Sequence, residues 1–531
     1  MGHKFFSLSL FRMELSKNKE ESKVKKNIMN KVLAVICTAA MTMSVLSGCG
    51  STGGSAEAKQ AGSTSNQGVN ADTESSDSGS NKEPVTIQYF TWTSGSMTAI
   101  EPMVEKFNET NEDNITVEVV LKTGEWQTAL KTAIQSGQAP DILHGVQDVT
   151  EALSNGWIEP WDNYLSADFK EKIDPYTYKV EVDGELNTYA FVWGAKTYKM
   201  AYNKQLFEAA GITETPKTWD EVYECAKKIT EAGNGEYYGF GLSSAPSGSA
   251  VAFITEPIGA YEGYYKMGYD FRKNAYDFTY MEPYISLFRQ MIAEGLTFPG
   301  AETLDNDGVR AQFAAGKIGI LPSVSWDCAA INDQFEASCD WDVFDWPSAM
   351  AGENKGALCL RDSANYMLSS TSEHKEAAAK FVEFMLGEDY QSEMLSKATD
   401  MSILPWALEE AANKPASEYT QWVSYNPSED MVPVSNVNLS VQISGDNEAT
   451  TLATLISNPG MDAGATLEEL SARYNNGLYE QAKMDEQKAE VSDVKIGFQG
   501  KIMSIENFDP KQAIDPENIK YLTADEWKAL Q

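Results

Sequence analysis

The 531 residues hold few groups suited to acid–base or metal chemistry. There are three histidines, His3, His144 and His374, and six cysteines whose spacing fits no zinc pattern. No nucleophile elbow, phosphate-cradling glycine loop or zinc helix appears. Asp305-Asn306-Asp307-Gly308 opens like a calcium loop, but the residues after Gly308 lack oxygen ligands at the needed spacing, so it reads as a turn. Carboxylates number 78. A glycoside hydrolase, the remote enzymatic alternative, needs two of them ~5–10 Å apart. With so many present, candidate pairs carry no weight, and no catalytic residue is assigned. One thiol has a distinctive setting. Cys49 closes Leu46-Ser47-Gly48-Cys49, directly behind the apolar run 32–46 and the lysines Lys23, Lys25, Lys26 and Lys31.

That layout reads as a secretory signal, since the run is shorter than the ~20 residues a membrane span needs. Leu-Ser-Gly-Cys resembles the bacterial lipobox, in which the Cys is acylated and becomes the first mature residue. Residues 1–48 are therefore expected to be a lipoprotein signal, and 49–84 the lipidated Cys49 with a disordered tether. The tether is rich in Ser, Gly, Asn, Ala and acidic residues and has too little apolar surface to offset its ordering entropy. Net charge is −36 overall; residues 1–48 carry +5, leaving −41 on the remainder. A chain so acidic, with no basic stripe, is not built for nucleic acid. Cys225, Cys328, Cys339 and Cys359 allow three complete pairings. A Cys328–Cys339 bridge and reduced, buried thiols both stay open.

From Val85 the pattern becomes periodic. Val85, Ile87 and Tyr89 alternate as in a strand, Ile100, Met103, Val104 and Phe107 recur at helical spacing, and Ile115, Val117, Val119 and Leu121 alternate again. Trp126, Leu130, Ala133 and Ile134 mark a second helix, and Pro140-Asp141-Ile142-Leu143 a third strand. Thr218 and Glu221 form a capping box ahead of Trp219, Val222, Ala226 and Ile229. Strand and helix alternation predicts parallel sheets with helices on their faces. The number of units predicts two α/β lobes.

Several segments together resemble the extracellular solute-binding proteins of carbohydrate ABC importers, the group that includes maltose-binding protein. They are Ser136-Gly137-Gln138-Ala139-Pro140-Asp141, then Tyr202-Asn203-Lys204 with Phe207-Glu208-Ala209-Ala210-Gly211-Ile212, and Pro216-Lys217-Thr218-Trp219-Asp220-Glu221. Phe313-Ala314-Ala315-Gly316-Lys317 with Ser325-Trp326, and Lys375-Glu376-Ala377-Ala378, complete the set. The resemblance covers roughly 85–410. Residues 191–196 depart from the usual pattern, and 490–531 match nothing familiar.

The resemblance implies a class II periplasmic-binding-protein-like fold, two α/β lobes joined by a hinge with the ligand cleft between them. Residues 85–200 and 346–395 would form lobe 1, and 201–345 and 396–531 lobe 2 with a C-terminal extension. Crossings are expected near 199–201, 346–347 and 387–396. Ligand would shift the population of closed molecules by its differential affinity. A sugar presents an apolar face and a rim of hydroxyls, so its site needs aromatic planes beside polar side chains. Trp92, Trp193 and Trp326 are the expected planes. Glu125, His144, Glu256, Asp327 and Arg361 are the expected polar contacts. Expected partners are a carbohydrate, chiefly an oligosaccharide, and ABC permease subunits. The chain would act as a monomer on the outer face of the cytoplasmic membrane, touching it only through its lipid, with no cofactor or metal. A ligand-presenting sensor and a binder of a non-sugar solute are the alternatives.

Overall fold

The computed structural model describes residues 83–123, 125–145, 149–245, 251–265, 268–350, 352, 359–361, 365–413, 419–427, 441–512 and 514–531, with backbone alone at 150, 359–361 and 516. These belong to one compact unit, Ser80–Gln531. The expected signal, Cys49 and nearly all of the tether lie outside the described residues.

The first lobe is built on a five-stranded sheet. Val85–Thr91 runs parallel to Ile115–Leu121, in register from Val85↔Ile115 to Thr91↔Leu121, and parallel to Ile142–Leu143 on its other side. Met367–Ser369 returns antiparallel beside Ile142–Leu143 and joins Ile158–Glu159. Helices cover both faces, so Phe90 and Thr91 are buried along with the alternating Ile87 and Tyr89. Helix Met97–Thr110 buries the expected Ile100, Met103, Val104 and Phe107. Phe107 packs edge-on against Phe381 of helix Lys375–Met385, ring centroids 5.0 Å apart.

The second lobe has its own sheet, in the order Trp341–Asp345, Gly194–Asn203, Ile318–Val324, Tyr238–Phe240. The outer pair, Tyr238–Phe240 and Ile318–Val324, is parallel. Helix Trp219–Gly233 lies on it and starts at the expected capping box, with Glu221 N–H donating to Thr218 Oγ1 at 3.2 Å and the Glu221 carboxylate accepting from Thr218 N–H at 3.2 Å. The helix sits so close that a Cβ on Gly239 would come 2.0 Å from the Ala226 carbonyl oxygen.

Gly194–Asn203 joins the lobes. Its second half pairs with Ile318–Val324 and with Trp341–Asp345. Its first half pairs with Cys359–Arg361 and Met401–Ser402. One passage was expected at 387–396, but those residues form a helix held to lobe 1, where Lys106 Nζ meets Asp389 at 2.7 Å and Lys172 Nζ meets Glu388 at 3.3 Å. Among the described residues that follow, Thr420–Ser424 reaches the second lobe, where Gln421 Nε2 donates to the Trp341 carbonyl at 3.0 Å. Helix Glu388–Ser396 is amphipathic, with Tyr390, Met394 and Leu395 buried, and that face finds its partner on lobe 1. Helices Glu448–Ser457 and Ala463–Val491 complete the second lobe's core through Leu452, Leu455, Leu467 and Leu470. Asp305 caps helix Asn306–Ala314 by accepting from Gly308 N–H at 2.8 Å, which gives the Asp-Asn-Asp-Gly run a local structural role. Cys225, Cys328 and Cys339 are free thiols.

Gly239→Ala would force the helix off the strand. We expect a loss of about 1–3 kcal/mol, typical of overpacking, read as a lowered midpoint in chemical denaturation. An unchanged midpoint would refute this contact.

Candidate ligand-binding site

In open sheets of parallel strands, ligands meet the loops that leave the carboxyl ends. In lobe 1 those loops begin at Trp92, Lys122 and His144; in lobe 2 they begin at Gly241 and Ser325. Because Gly194–Asn203 is antiparallel to Ile318–Val324, with Val324 opposite Tyr198, its first half is brought to that same edge. Ser325 N–H donates to the Thr197 carbonyl at 2.9 Å and fixes the arrangement. Topology therefore gathers Lys196 and Tyr198 next to Trp326.

On lobe 1 the rings form a continuous strip. Trp92, 41% exposed, stacks on Trp126 at 5.4 Å and 11°. Trp92 also lies 6.2 Å from His144, His144 lies 5.2 Å from Tyr366, and Tyr366 stacks on Trp193 at 5.7 Å and 8°. Trp193 immediately precedes the crossing strand, so the strip runs from the sheet edge to the junction of the lobes. Gly145 makes room for it: φ is +98° there, and a Cβ would meet Trp92 Nε1 at 2.6 Å. His144 is buried, with the Tyr89 and Thr91 hydroxyls 3.2 and 3.1 Å from Nδ1. Burial lowers its pKa from 6.5 to about 4, so at neutral pH the imidazole is uncharged. Trp193 is 3% exposed, and its Nε1–H has no hydrogen-bond partner among the described residues.

On lobe 2, Trp326 is half-buried and meets Phe253 edge-on at 6.0 Å. Three residues further along the Phe253 helix, Glu256 accepts from Lys196 Nζ at 2.7 Å and from the Tyr198 hydroxyl at 2.5 Å. Burial, and next the Glu256 charge, hold the Tyr198 phenol well above its usual range. A shallow depression open to solvent lies beside this wall, lined among others by Ser243, Phe253, Asn306 and Arg310. All of its lining residues belong to lobe 2.

Of the expected site residues, Trp92, His144 and Trp193 share the strip, and Trp326 and Glu256 share the second wall. Glu125 is exposed at the start of helix Trp126–Gln135, in a left-handed conformation with φ 35°. Arg361 has its backbone paired to Ala195, and its side chain lies outside the described residues. Asp327 differs from expectation. It is 1% exposed, meets Arg310 Nη2 at 2.7 Å and accepts from Val324 N–H at 3.1 Å. Burial pushes its carboxyl up against the pull of Arg310. Its acceptors serve the wall and are turned away from solvent. Trp126, Tyr366, Lys196, Tyr198 and Phe253 were not singled out as site residues from sequence. Trp126 reads there as a helix-face residue, and nothing local marks the others.

The model of the family described as bacterial extracellular solute-binding protein matches residues 91–392. The chain belongs to this family. Among relatives of this solute-binding protein is the maltotriose-binding protein of Pyrococcus abyssi, 25% identical over 309 residues, 56% of this chain and 62% of that protein. The chain thus spans about three fifths of the length of most of the curated relatives it matches and about a third of one. Solved structures with the same fold include RafE of Streptococcus pneumoniae, determined in complex with raffinose. That complex gives a TM-score of 0.52 at 19% identity, covering 74% of this chain and 99% of RafE. The GacH receptor of Streptomyces glaucescens, solved unliganded and with acarbose, gives 0.56 at 17% identity over 75% and 99%. These likenesses establish the two-lobed solute-binding-protein fold. Among the described residues no helix is long and apolar enough to cross a membrane.

The His144 pKa carries a pH signature. In the folded solute-binding protein it lies below the unfolded value, so between pH 6.5 and about 4 the unfolded chain binds the extra proton. His144's contribution is therefore present above pH 6.5 and lost as pH falls toward 4. His144→Asn should flatten the decline in melting temperature across that window. An equal decline in both proteins would contradict a buried neutral imidazole.

Proposed function

We propose that this solute-binding protein captures a carbohydrate of oligosaccharide size outside the cell and delivers it to the permease subunits of an ABC importer. Capture works by closure of the two lobes, and no bond is broken. The observation that carries the reading is the exposed Trp92 ring stacked with Trp126 at a sheet edge and backed by the buried rings of His144, Tyr366 and Trp193, with the exposed Glu125 close by in sequence. Trp326 and Phe253, beside the Glu256–Lys196–Tyr198 cluster, give lobe 2 the same pairing of plane and polar group. An apolar plane beside charged and hydroxyl groups suits a sugar ring and its rim. The maltotriose-binding relative, and the raffinose and acarbose complexes of proteins with this fold, agree with it.

In this reading Trp92 and Trp326 stack on the ligand from opposite lobes, and Glu125, Glu256 and Arg361 bond its hydroxyls. His144 and Trp193 shape the floor beneath it. Cys49 carries the lipid that holds the monomeric protein at the outer face of the cytoplasmic membrane. Residues 50–84, rich in Ser, Gly, Asn, Ala and acidic residues, separate that lipid from the body.

Calorimetric titration of residues 85–531 against mono- and oligosaccharides, raffinose and maltotriose included, tests the site. Binding in the low micromolar range or tighter, without turnover, is expected. Trp92→Ala and Trp326→Ala should each weaken it at least about tenfold, or about 1.4 kcal/mol. Release of shorter sugars would overturn the reading, and absence of binding across the panel would point to a non-sugar solute. Cys49→Ser should abolish fatty-acid labelling and release the protein from membranes; retention with the membrane fraction would refute the anchor.

A further inference from the structure

The last forty residues do not simply extend lobe 2. Helix Ala463–Val491 ends with Ser492 as its C-cap, and the Lys495 ammonium folds back onto the Ala489 carbonyl at 2.6 Å. The chain then leaves lobe 2 and docks on the hairpin formed by Thr177–Val182 and Glu185–Phe191, which belongs to lobe 1. Asp183 N–H donates to the Lys495 carbonyl at 2.8 Å, and Gly497 N–H donates to the Glu181 carbonyl at 2.9 Å. The Asp183 carboxylate accepts from Lys495 N–H at 2.9 Å, and Gln499 Nε2 reaches Ser154 Oγ at 3.3 Å. Ile496 is buried in the lobe 1 cluster of Phe90, Leu143, Val180, Tyr189 and Met367.

Four residues later the chain is back on lobe 2. Gly500, with φ +72°, lies so close to the long helix that a Cβ would sit 2.4 Å from the Glu486 amide nitrogen. Ile502, Met503, Ile505 and Trp527 enter the lobe 2 core, and Trp527 Nε1 donates to the Asn274 carbonyl at 2.6 Å. Phe498, packed on the lobe 1 cluster, stacks at 6.1 Å against Tyr521 of strand Ile519–Leu522, which pairs antiparallel with Ile502–Ile505.

We propose that residues 492–499 are a strap that fastens lobe 1 to lobe 2 and limits how far the lobes part. The steps from Ile496 to Gly500 reach at most about 14 Å when fully extended, and those from Val491 to Ile496 at most about 18 Å. Both ends are built into their lobes, one by backbone hydrogen bonds and a buried isoleucine, the other by a buried tryptophan. Opening on this side must therefore either stretch the strap or strip Ile496 from its pocket. The strap adds a fastening, made without covalent crossing, to those of the crossing strand. It biases the protein toward a narrow opening whatever the solute.

The test is slack. Six Gly/Ser residues inserted between Ser492 and Asp493, and six more between Gln499 and Gly500, lengthen both legs of the strap and leave the Ile496 anchor and both lobe 2 ends in place. Dyes attached to azido residues replacing the exposed Glu109 of lobe 1 and Glu231 of lobe 2, in the whole chain without ligand, report lobe separation by single-molecule energy transfer. We expect the insertions to shift the distribution to lower transfer efficiency and to broaden it. As a second arm, Val182 and Ile496 form a non-hydrogen-bonded antiparallel pair, whose Cα atoms stand ~4.5 Å apart, within disulfide range. V182C/I496C, oxidised in the native-length chain, should keep the parent distribution or narrow it. Identical distributions for the inserted and parent chains would overturn the proposal, as would a wider distribution in the oxidised double variant.

Discussion

The hydrogen-bond ladder of Gly194–Asn203 is the constraint on which the rest of the molecule depends. This one strand bonds to Ile318–Val324 and Trp341–Asp345 along its second half, and to Cys359–Arg361 and Met401–Ser402 along its first. Its side chains bury on both faces, as a central strand's must, and Lys199 is held by Asp345 at 2.7 Å. Buried contacts are continuous through it, from Tyr89 and Phe191 through Trp193 to Ala201 and Phe313. A backbone so fully paired cannot slip by one residue without moving every buried side chain to the opposite face and breaking its packing. The positions of Lys196, Tyr198 and Trp193 relative to the two sheet edges are set by that register.

Function rests on the groups the register brings together. Each lobe alone offers a plane and some polar groups at the carboxyl edge of its parallel strands. Trp193, just before the crossing strand, carries the lobe 1 ring contacts from Tyr366 to the point where lobe 2 begins. A ligand that touches both walls stabilises only the conformation in which both are within reach, and this differential affinity does the work of a hinge protein. The strap of residues 492–499 adds a second control, since it sets how much separation such a ligand must overcome.

Much of this was legible in the sequence where local pattern and tertiary environment agree. The strands at Val85 and Ile115, the helix faces of Ile100 and Val222, and the Thr218 capping box all formed as their periodicity required. The loop positions of Trp92 and Trp326 were legible because the strand pattern stops just before each of them. Asp327 was misread because its neighbour Trp326 gave it the same apparent setting, whereas Arg310, seventeen residues earlier, turns it inward. Tyr366 carried no signal. Its left-handed φ of 59° and its place under Trp193 are set by the return strand Met367–Ser369, a pairing between residues more than two hundred apart. The third crossing was misplaced for a related reason: an amphipathic helix shows which face is apolar but not which lobe will cover it. The strap was invisible because residues 492–499 keep neither helical nor strand period; two backbone hydrogen bonds and Ile496 define them.

In the proposed mechanism one ligand engages both walls at once. Hydrogen–deuterium exchange of the whole chain, with and without the sugar that binds it, measures this most directly. Amides at 91–96 in lobe 1 and 325–329 in lobe 2 should gain protection together at the same ligand concentration. Protection confined to one lobe at saturating ligand would contradict the claim.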